Sequence, residues 1–306
     1  MALFKFLMYN KVNDVMSVIE IKNLTKHFGS VNVVDDVSFA VEQGEIFGFL
    51  GPNGAGKTTT IRCMMDFIRP TAGQVMILGK DSLNDTEELK KEIGYLAGSV
   101  RAYDNWTGQQ HINFALSLNG KKNIASNLAT RLQFNPKVKT KNLSSGNRQK
   151  LGVILAFMFE PKVAILDEPT NALDPLMQNI IYDIIREQTY KGATVFMSSH
   201  NLAEVERVCS RVGIIRQGKM VAVESMESLK EKQMHRVKVV FAGKYDKGEF
   251  LTLGGSEVVM ASPEELILNV RGEIASILRV LSAHRMKNLE IGRASLEDIF
   301  MEYYER

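Results

Sequence analysis

Gly51-Pro52-Asn53-Gly54-Ala55-Gly56-Lys57-Thr58-Thr59 reads G-x-x-x-x-G-K-T, and its flanks matter as much as its letters. Before it, Glu45-Ile46-Phe47-Gly48-Phe49-Leu50 is a short apolar run of strand character. After it, apolar residues at Ile61, Met64, Met65 and Ile68 recur at helical spacing. Strand, glycine-rich loop and helix in that order form the context that a phosphate-binding loop requires. The glycines let the backbone wrap tightly and aim successive N–H groups inward. The helix start adds unpaired N–H groups and the positive end of its dipole. Lys57 can then reach the β- and γ-phosphates of a nucleotide, and the Thr58 hydroxyl can ligate Mg²⁺. The plain alternative is a glycine turn in front of an amphipathic helix.

Downstream, Val163-Ala164-Ile165-Leu166-Asp167 is a buried-type strand whose end carries two carboxylates, Asp167 and Glu168. In a parallel sheet, ligand chemistry gathers at the carboxyl ends of strands. Beside a phosphate loop, Asp167 suits Mg²⁺ held through water, and Glu168 suits orienting an attacking water. Residues 193–197 read as another strand, ending in Ser198-Ser199-His200. His200 caps a strand of the same sheet and can reach a γ-phosphate, whereas His27, His111, His235 and His284 read as structural. Ser144-Ser145-Gly146 runs into an apolar helix through Leu151, Ile154, Leu155 and Met158. That start is a second anion-receptive terminus, with an ordinary N-cap as the alternative. Pro175, after Asp174, suits the first position of the next helix. Phe28 offers a flat face on which adenine can stack, with turn packing as the alternative.

The rest of the chain sets the frame. At 306 residues it is long enough for one large domain and a smaller one. With 45% hydrophobic and 24% charged residues the composition is that of a soluble globular protein, and a net charge of +3 is too mild to argue for a nucleic-acid surface. The longest apolar run, residues 151–159, stops well short of the ~20 residues a membrane span needs. Cys63 and Cys209 sit in apolar helical contexts without metal-ligand spacing and read as buried free thiols. Residues 1–16 read as an extension and residues 17–224 as the nucleotide-binding domain. A mainly helical insert falls at about residues 101–160, and residues 225–306 form a small α+β domain. Thr25-Lys26-His27-Phe28-Gly29 is expected to turn. In the last domain, strands are expected at 237–241 and 267–270, helices at 273–281 and 296–304, and loop over 243–255.

By residues 143–174 the chain resembles the ATP-binding subunit of ABC transporters, over roughly residues 18–223. Residues 51–58 match the Walker A loop. Leu143-Ser144-Ser145-Gly146-Asn147 is similar to the ABC signature, with Ser145 where glycine is usual and Asn147 where glutamine is. Residues 163–167 look like Walker B, with Glu168 in the place of the catalytic glutamate. Ala172-Leu173-Asp174 resembles the D-loop, His200 the switch histidine, and Phe28 the adenine-stacking aromatic. The resemblance implies a P-loop NTPase core with a mixed sheet, an antiparallel β subdomain and the helical insert. It implies ATP and Mg²⁺, with Phe28, Gly51, Asn53, Gly54, Ala55, Gly56, Lys57, Thr58 and Thr59 on the nucleotide and Thr58 and Asp167 on the metal. It further implies Ser144, Ser145, Gly146 and Asp174 on the nucleotide held by a second copy, Glu168 and His200 as catalytic groups, and a head-to-tail dimer.

The other partner implied is a transmembrane permease subunit, with the chain peripheral on the cytoplasmic face of the membrane. Ala294-Ser295-Leu296-Glu297-Asp298-Ile299-Phe300 looks like the tail of exporter-type cassettes. A soluble ATPase acting on ribosomes or nucleic acid is the competing reading. One element departs from the family: after Gly94-Tyr95-Leu96, where Pro-Gln is usual, stand Ala97-Gly98. Gly98 has no side chain to ligate metal, so coupling is expected to run through the loop backbone and the helical insert, with water filling the metal position.

Overall fold

The computed structural model describes residues 17–119, 123–231, 235–251, 256–270 and 274–293. The expected helix at 296–304 and the exporter-like tail lie outside them. The chain divides into two compact units, one up to Glu224 and one from Ser225.

The first unit is built on a six-stranded sheet of order β10-β9-β3-β8-β7-β6. Its strands are β3 (Ile46–Leu50), β6 (Ile93–Leu96), β7 (Val163–Asp167), β8 (Thr194–Ser199), β9 (Arg211–Arg216) and β10 (Lys219–Ser225). The pairs β3–β8, β3–β9, β6–β7 and β7–β8 are parallel. Every residue of β3, β7 and β8 is buried, as strands covered on both faces must be, and their runs are accordingly apolar without alternation up to the polar ends that face the site, Asp167 in β7 and Ser198-Ser199 in β8. β9 and β10 are joined by Gln217 and Gly218, both at positive φ, the two-residue turn of an antiparallel hairpin. The sheet is therefore mixed.

A second sheet, of order β2-β1-β4-β5, is antiparallel. It comprises β1 (Ser17–Phe28), β2 (Val31–Glu42), β4 (Ala72–Ile77) and β5 (Lys80–Asp81). It shares one core with β3 and with α1 (Lys57–Met64), in which Phe39 stacks on Phe47 at 5.3 Å and on Phe196 at 5.8 Å. The expected turn at residues 25–29 is corrected here. β1 continues through Phe28, and Lys26, His27 and Phe28 pair with Val34, Asn32 and Val31, leaving only Gly29 and Ser30 to reverse the chain. Cross-strand pairing along a long hairpin overrides the turn preference of that polar cluster, and the irregular register of β1 absorbs the mismatch.

After β5 come α2 (Thr86–Lys90) and β6, then the helical region. It contains α3 (Gly108–Asn119), α4 (Ala125–Arg131), one 3₁₀ turn (Thr140–Asn142) and α5 (Ser145–Phe157). From Leu151 on, α5 buries Leu151, Gly152, Val153, Ile154, Ala156 and Phe157, so that half is apolar nearly all round, as an interior helix must be, while its first half is polar. α6 (Pro175–Tyr190) links β7 to β8, and α7 (Leu202–Val208) links β8 to β9.

The second unit starts with α8 (Met226–Glu231). It holds an antiparallel sheet of order β12-β13-β11-β14 and the helices α9 (Lys247–Leu251) and α10 (Ala275–Ser282). Its core is Val237, Val239, Phe241, Phe250, Leu266, Leu268, Val270, Ile277 and Leu281. The expected strands at 237–241 and 267–270 lie within β11 (His235–Phe241) and β13 (Glu265–Val270). The structure adds two strands, β12 (Ser256–Ala261) and β14 (Met286–Arg293), and places α9 in the expected loop. Both added strands are sheet edges; β14 interleaves polar and apolar residues, and β12 is largely exposed and directly follows the expected loop. No helix among the described residues is long and apolar enough to cross a membrane.

Candidate active site

Three adjacent strands deliver the site. In register, Leu50 of β3 lies beside Ser199 of β8, and Ser198 beside Asp167 of β7. The loop after β3, the acids after β7 and His200 after β8 therefore leave the sheet at one edge, the carboxyl ends of its parallel strands. They line a cleft of about 1020 Å³ to which residues 53–59 contribute, together with Asp167, Glu168 and His200. Gly56, which precedes α1, needs to be glycine twice over. Its φ is 108°, and an added Cβ would stand 2.7 Å from the Val33 carbonyl oxygen.

Lys57 is buried at 6% exposure. Its ammonium donates to the carbonyls of Gly51 (2.6 Å) and Pro52 (3.2 Å) and lies 3.4 Å from Glu168 Oε1. The other oxygen of Glu168 is 2.6 Å from His200 Nδ1. Glu168 has a φ of 52°, a left-handed backbone that costs a non-glycine residue roughly 1–3 kcal/mol. Its surroundings hold it there. The Glu168 N–H donates to the carbonyl and hydroxyl oxygens of Ser198 (3.3 and 3.1 Å), and its carbonyl accepts from Gln149 Nε2 at 3.0 Å. Asp167, 2% exposed, accepts from Thr58 Oγ1 at 2.9 Å and from Ser198 Oγ at 2.6 Å. A hydroxyl and one carboxylate, side by side at the mouth of a phosphate loop, are the sparse oxygen set that suits Mg²⁺, which keeps water and phosphate as its remaining ligands. Burial pushes the Tyr95 hydroxyl pKa up, and the Asp167 charge adds to the rise.

The remaining expected residues fall elsewhere. Phe28 is half exposed, with Lys26 Nζ 5.0 Å above its ring, and is not among the residues lining the cleft, where Val33 is. Ser144 caps α5 by accepting from the Asn147 N–H. Ser145 lines an adjoining cleft of about 420 Å³ with Arg148, Gln149 and Ala172. Gly146 packs so closely that a Cβ would stand 2.8 Å from the Ala172 carbonyl oxygen. Asp174 caps α6, accepting from the Met177 N–H at 3.0 Å. Gly98, Ser99 and Asn171 line both clefts. A Cβ on Gly98 would stand 3.0 Å from Asp167 Oδ2, so the loop backbone lies directly against that carboxyl. Sequence reasoning missed Ser198 and Gln149, which fix Asp167 and Glu168 from behind. Their only signals were a serine pair ahead of His200 and one uncharged polar residue in the polar first turns of α5.

The family described as ABC transporter matches residues 34–171, a stretch that holds the phosphate loop, both acids and the start of α5. The chain is also 32% identical over 296 residues to YhcH of Bacillus subtilis, an ABC transporter ATP-binding protein, covering 94% of this chain and 95% of that one. The chain belongs to the ABC transporter ATP-binding family. It is 37% identical to the bacitracin transport ATP-binding protein BcrA of Bacillus licheniformis, over 71% of this chain and 72% of BcrA. A solved ATP-binding cassette, a dimer in a post-hydrolysis state bound to ADP and Pi, shares the fold with a TM-score of 0.63. That match covers 68% of this chain and 98% of the cassette at 21% identity. This ABC cassette is an ATP-binding subunit, and its fold is the P-loop NTPase core with an antiparallel β subdomain, a helical insert and a small α+β domain.

Proposed function

We propose that this cassette powers export through a separate transmembrane permease, as one of two copies that close head to tail around two ATP molecules. The loop amides of residues 53–57 and the Lys57 ammonium hold the β- and γ-phosphates, and Phe28 or Val33 meets the base. Thr58 and Asp167 hold Mg²⁺, which when bound offsets phosphate charge. Glu168 orients the lytic water, and His200, in contact with the same carboxylate, stabilises the γ-phosphate. The observation that carries this reading is that Lys57, Glu168 and His200 meet in one cleft while Ser145 lines another. Ser145 and Gly146 are therefore assigned to the nucleotide of the second copy. Closure then excludes water, and loss of the γ-phosphate removes what favours the closed pair.

Export is supported by the likeness to a bacitracin transport protein and by the sequence of the tail. The cassette is placed on the cytoplasmic face of the membrane through the permease. Glu168→Gln tests the core of the reading. It should bind ATP as tightly as the parent, lose more than about 100-fold in turnover, and elute as a dimer when ATP is present. Near-normal hydrolysis by this variant overturns the assignment of Glu168.

A further inference from the structure

Glu204 lines neither cleft, yet at 4% exposure its carboxylate is, with that of Asp167, one of the two buried among the described residues. Its two oxygens reach two different segments. Oε1 accepts from Thr170 Oγ1 at 2.7 Å, and Oε2 accepts from Ser199 Oγ at 2.6 Å. Thr170 stands two residues after Glu168, and Ser199 immediately precedes His200. A glutamate at the third position of a helix capped by asparagine is ordinarily expected to reach back to the cap's own N–H. Here the Asn201 N–H donates instead to Ser199 Oγ, which leaves Glu204 free to span the two segments. Burial pushes the Glu204 carboxyl above its usual range, and the two hydroxyl donors work against that rise. They thus supply the ionised form with the partners that water provides at a surface.

We propose that Glu204 is a positioning residue for ATP hydrolysis: it ties the segment carrying Glu168 to the segment carrying His200 and so maintains the 2.6 Å contact between them. The proposal rests on the catalytic reading of Glu168 and His200. The bonds form a closed ring: Glu168 to His200 by contact, His200 to Ser199 by chain, Ser199 to Glu204 to Thr170 by hydrogen bonds, and Thr170 to Glu168 by chain. With Glu204 in place, one segment cannot shift without the other. Without it, the two segments stay joined only further back, where the Glu168 N–H meets Ser198, and a displacement of about an ångström is enough to misalign a water.

The test uses Glu204→Gln in the full chain, with Thr170→Val and Ser199→Ala as variants that each remove one of the two bonds to Glu204, Ser199→Ala also freeing the Asn201 N–H. Each is expected to lower turnover at saturating ATP by about tenfold while ATP affinity, read with a fluorescent analogue, stays within about twofold. In a His200→Ala background, Glu204→Gln is expected to cost less than about twofold more, because its effect passes through that contact. The imidazole resonances of His200 are expected to move in nucleotide-free Glu204→Gln. Normal turnover in folded Glu204→Gln, unmoved resonances, or an undiminished loss in the His200→Ala background overturns the proposal. If Glu204→Gln does not fold, the two single-bond variants decide on the same criteria. Retained turnover in Glu168→Gln overturns this proposal and the catalytic reading together, whereas an inactive Glu168→Gln beside a normal Glu204→Gln overturns the link alone.

Discussion

Lys57 is held in the cleft by two carbonyls and one carboxylate, with hardly any of its surface in water. A buried ammonium held by carbonyls of the phosphate loop itself is set up to exchange those partners for phosphate oxygens, which bind it with charge-assisted hydrogen bonds. Removing it by Lys57→Ala should weaken ATP binding itself by at least about tenfold, measured by nucleotide titration. A variant that binds normally but hydrolyses slowly would instead put the lysine in the chemical step alone. The cysteines show the opposite case, residues whose surroundings make them inert. Burial pushes the Cys63 thiol up to about 11 and Cys209 well above its usual value, so neither is appreciably a thiolate at neutral pH. The native protein should therefore leave Ellman's reagent unreacted on the timescale of minutes, and both thiols should react once guanidinium unfolds it. Rapid native labelling would show that the core around β3 and α1 opens locally.

At the scale of elements, the loop between β6 and α3 behaves differently from what its letters imply. Read as sequence, Gly98 marks a missing ligand. In the fold it marks a close approach, since a Cβ there would press on Asp167 Oδ2 at 3.0 Å. Gly98→Ala should then displace a carboxylate already fixed by Thr58 and Ser198, and lower ATP turnover by about tenfold with a raised Mg²⁺ requirement. Gly98→Gln, which restores the usual family residue, should harm rather than help, and an ATPase rate equal to the parent's would mean that the loop moves aside freely. The contrast explains what the sequence carried. The parallel strands and the phosphate loop were legible because each writes a local pattern, an apolar run or a fixed glycine spacing, that survives without its neighbours. The continuation of β1 through Phe28 was hidden because it depends on pairing with β2. The anchors Gln149, Ser198 and Glu204 were hidden because their partners Glu168, Asp167 and Thr170 lie 19, 31 and 34 residues away in the chain. The strand β14 was hidden because its apolar residues are broken up by polar ones, and β12 because its short apolar run lies at a sheet edge directly after the expected loop.

At the scale of the whole molecule, one chain holds every part of the proposed reaction but not in one place. The residues around Lys57 line one cleft, and Ser145 lines another. If two copies pair about a two-fold axis, each composite site takes its phosphate loop from one chain and its serine-glycine corner from the other. This arrangement makes a prediction that a self-sufficient chain does not share. Lys57→Ala destroys the loop and leaves the corner. Ser145→Arg destroys the corner by filling the second cleft and leaves the loop. Each variant alone should be inactive, because both sites of its homodimer are broken. Mixed in equal amounts, half of the dimers should contain one chain of each kind, and in each of these one site joins an intact loop to an intact corner. The other site in the same dimer joins the two broken halves. Activity should then return to roughly a quarter of the parent level if the two sites act independently. It should fall below that, towards zero, if both must fire together, and in that case nucleotide trapping in a single site of the mixed dimer still reports the pairing. A mixture that neither hydrolyses nor traps ATP, from variants shown by circular dichroism to be folded, would mean that each chain works with its own corner.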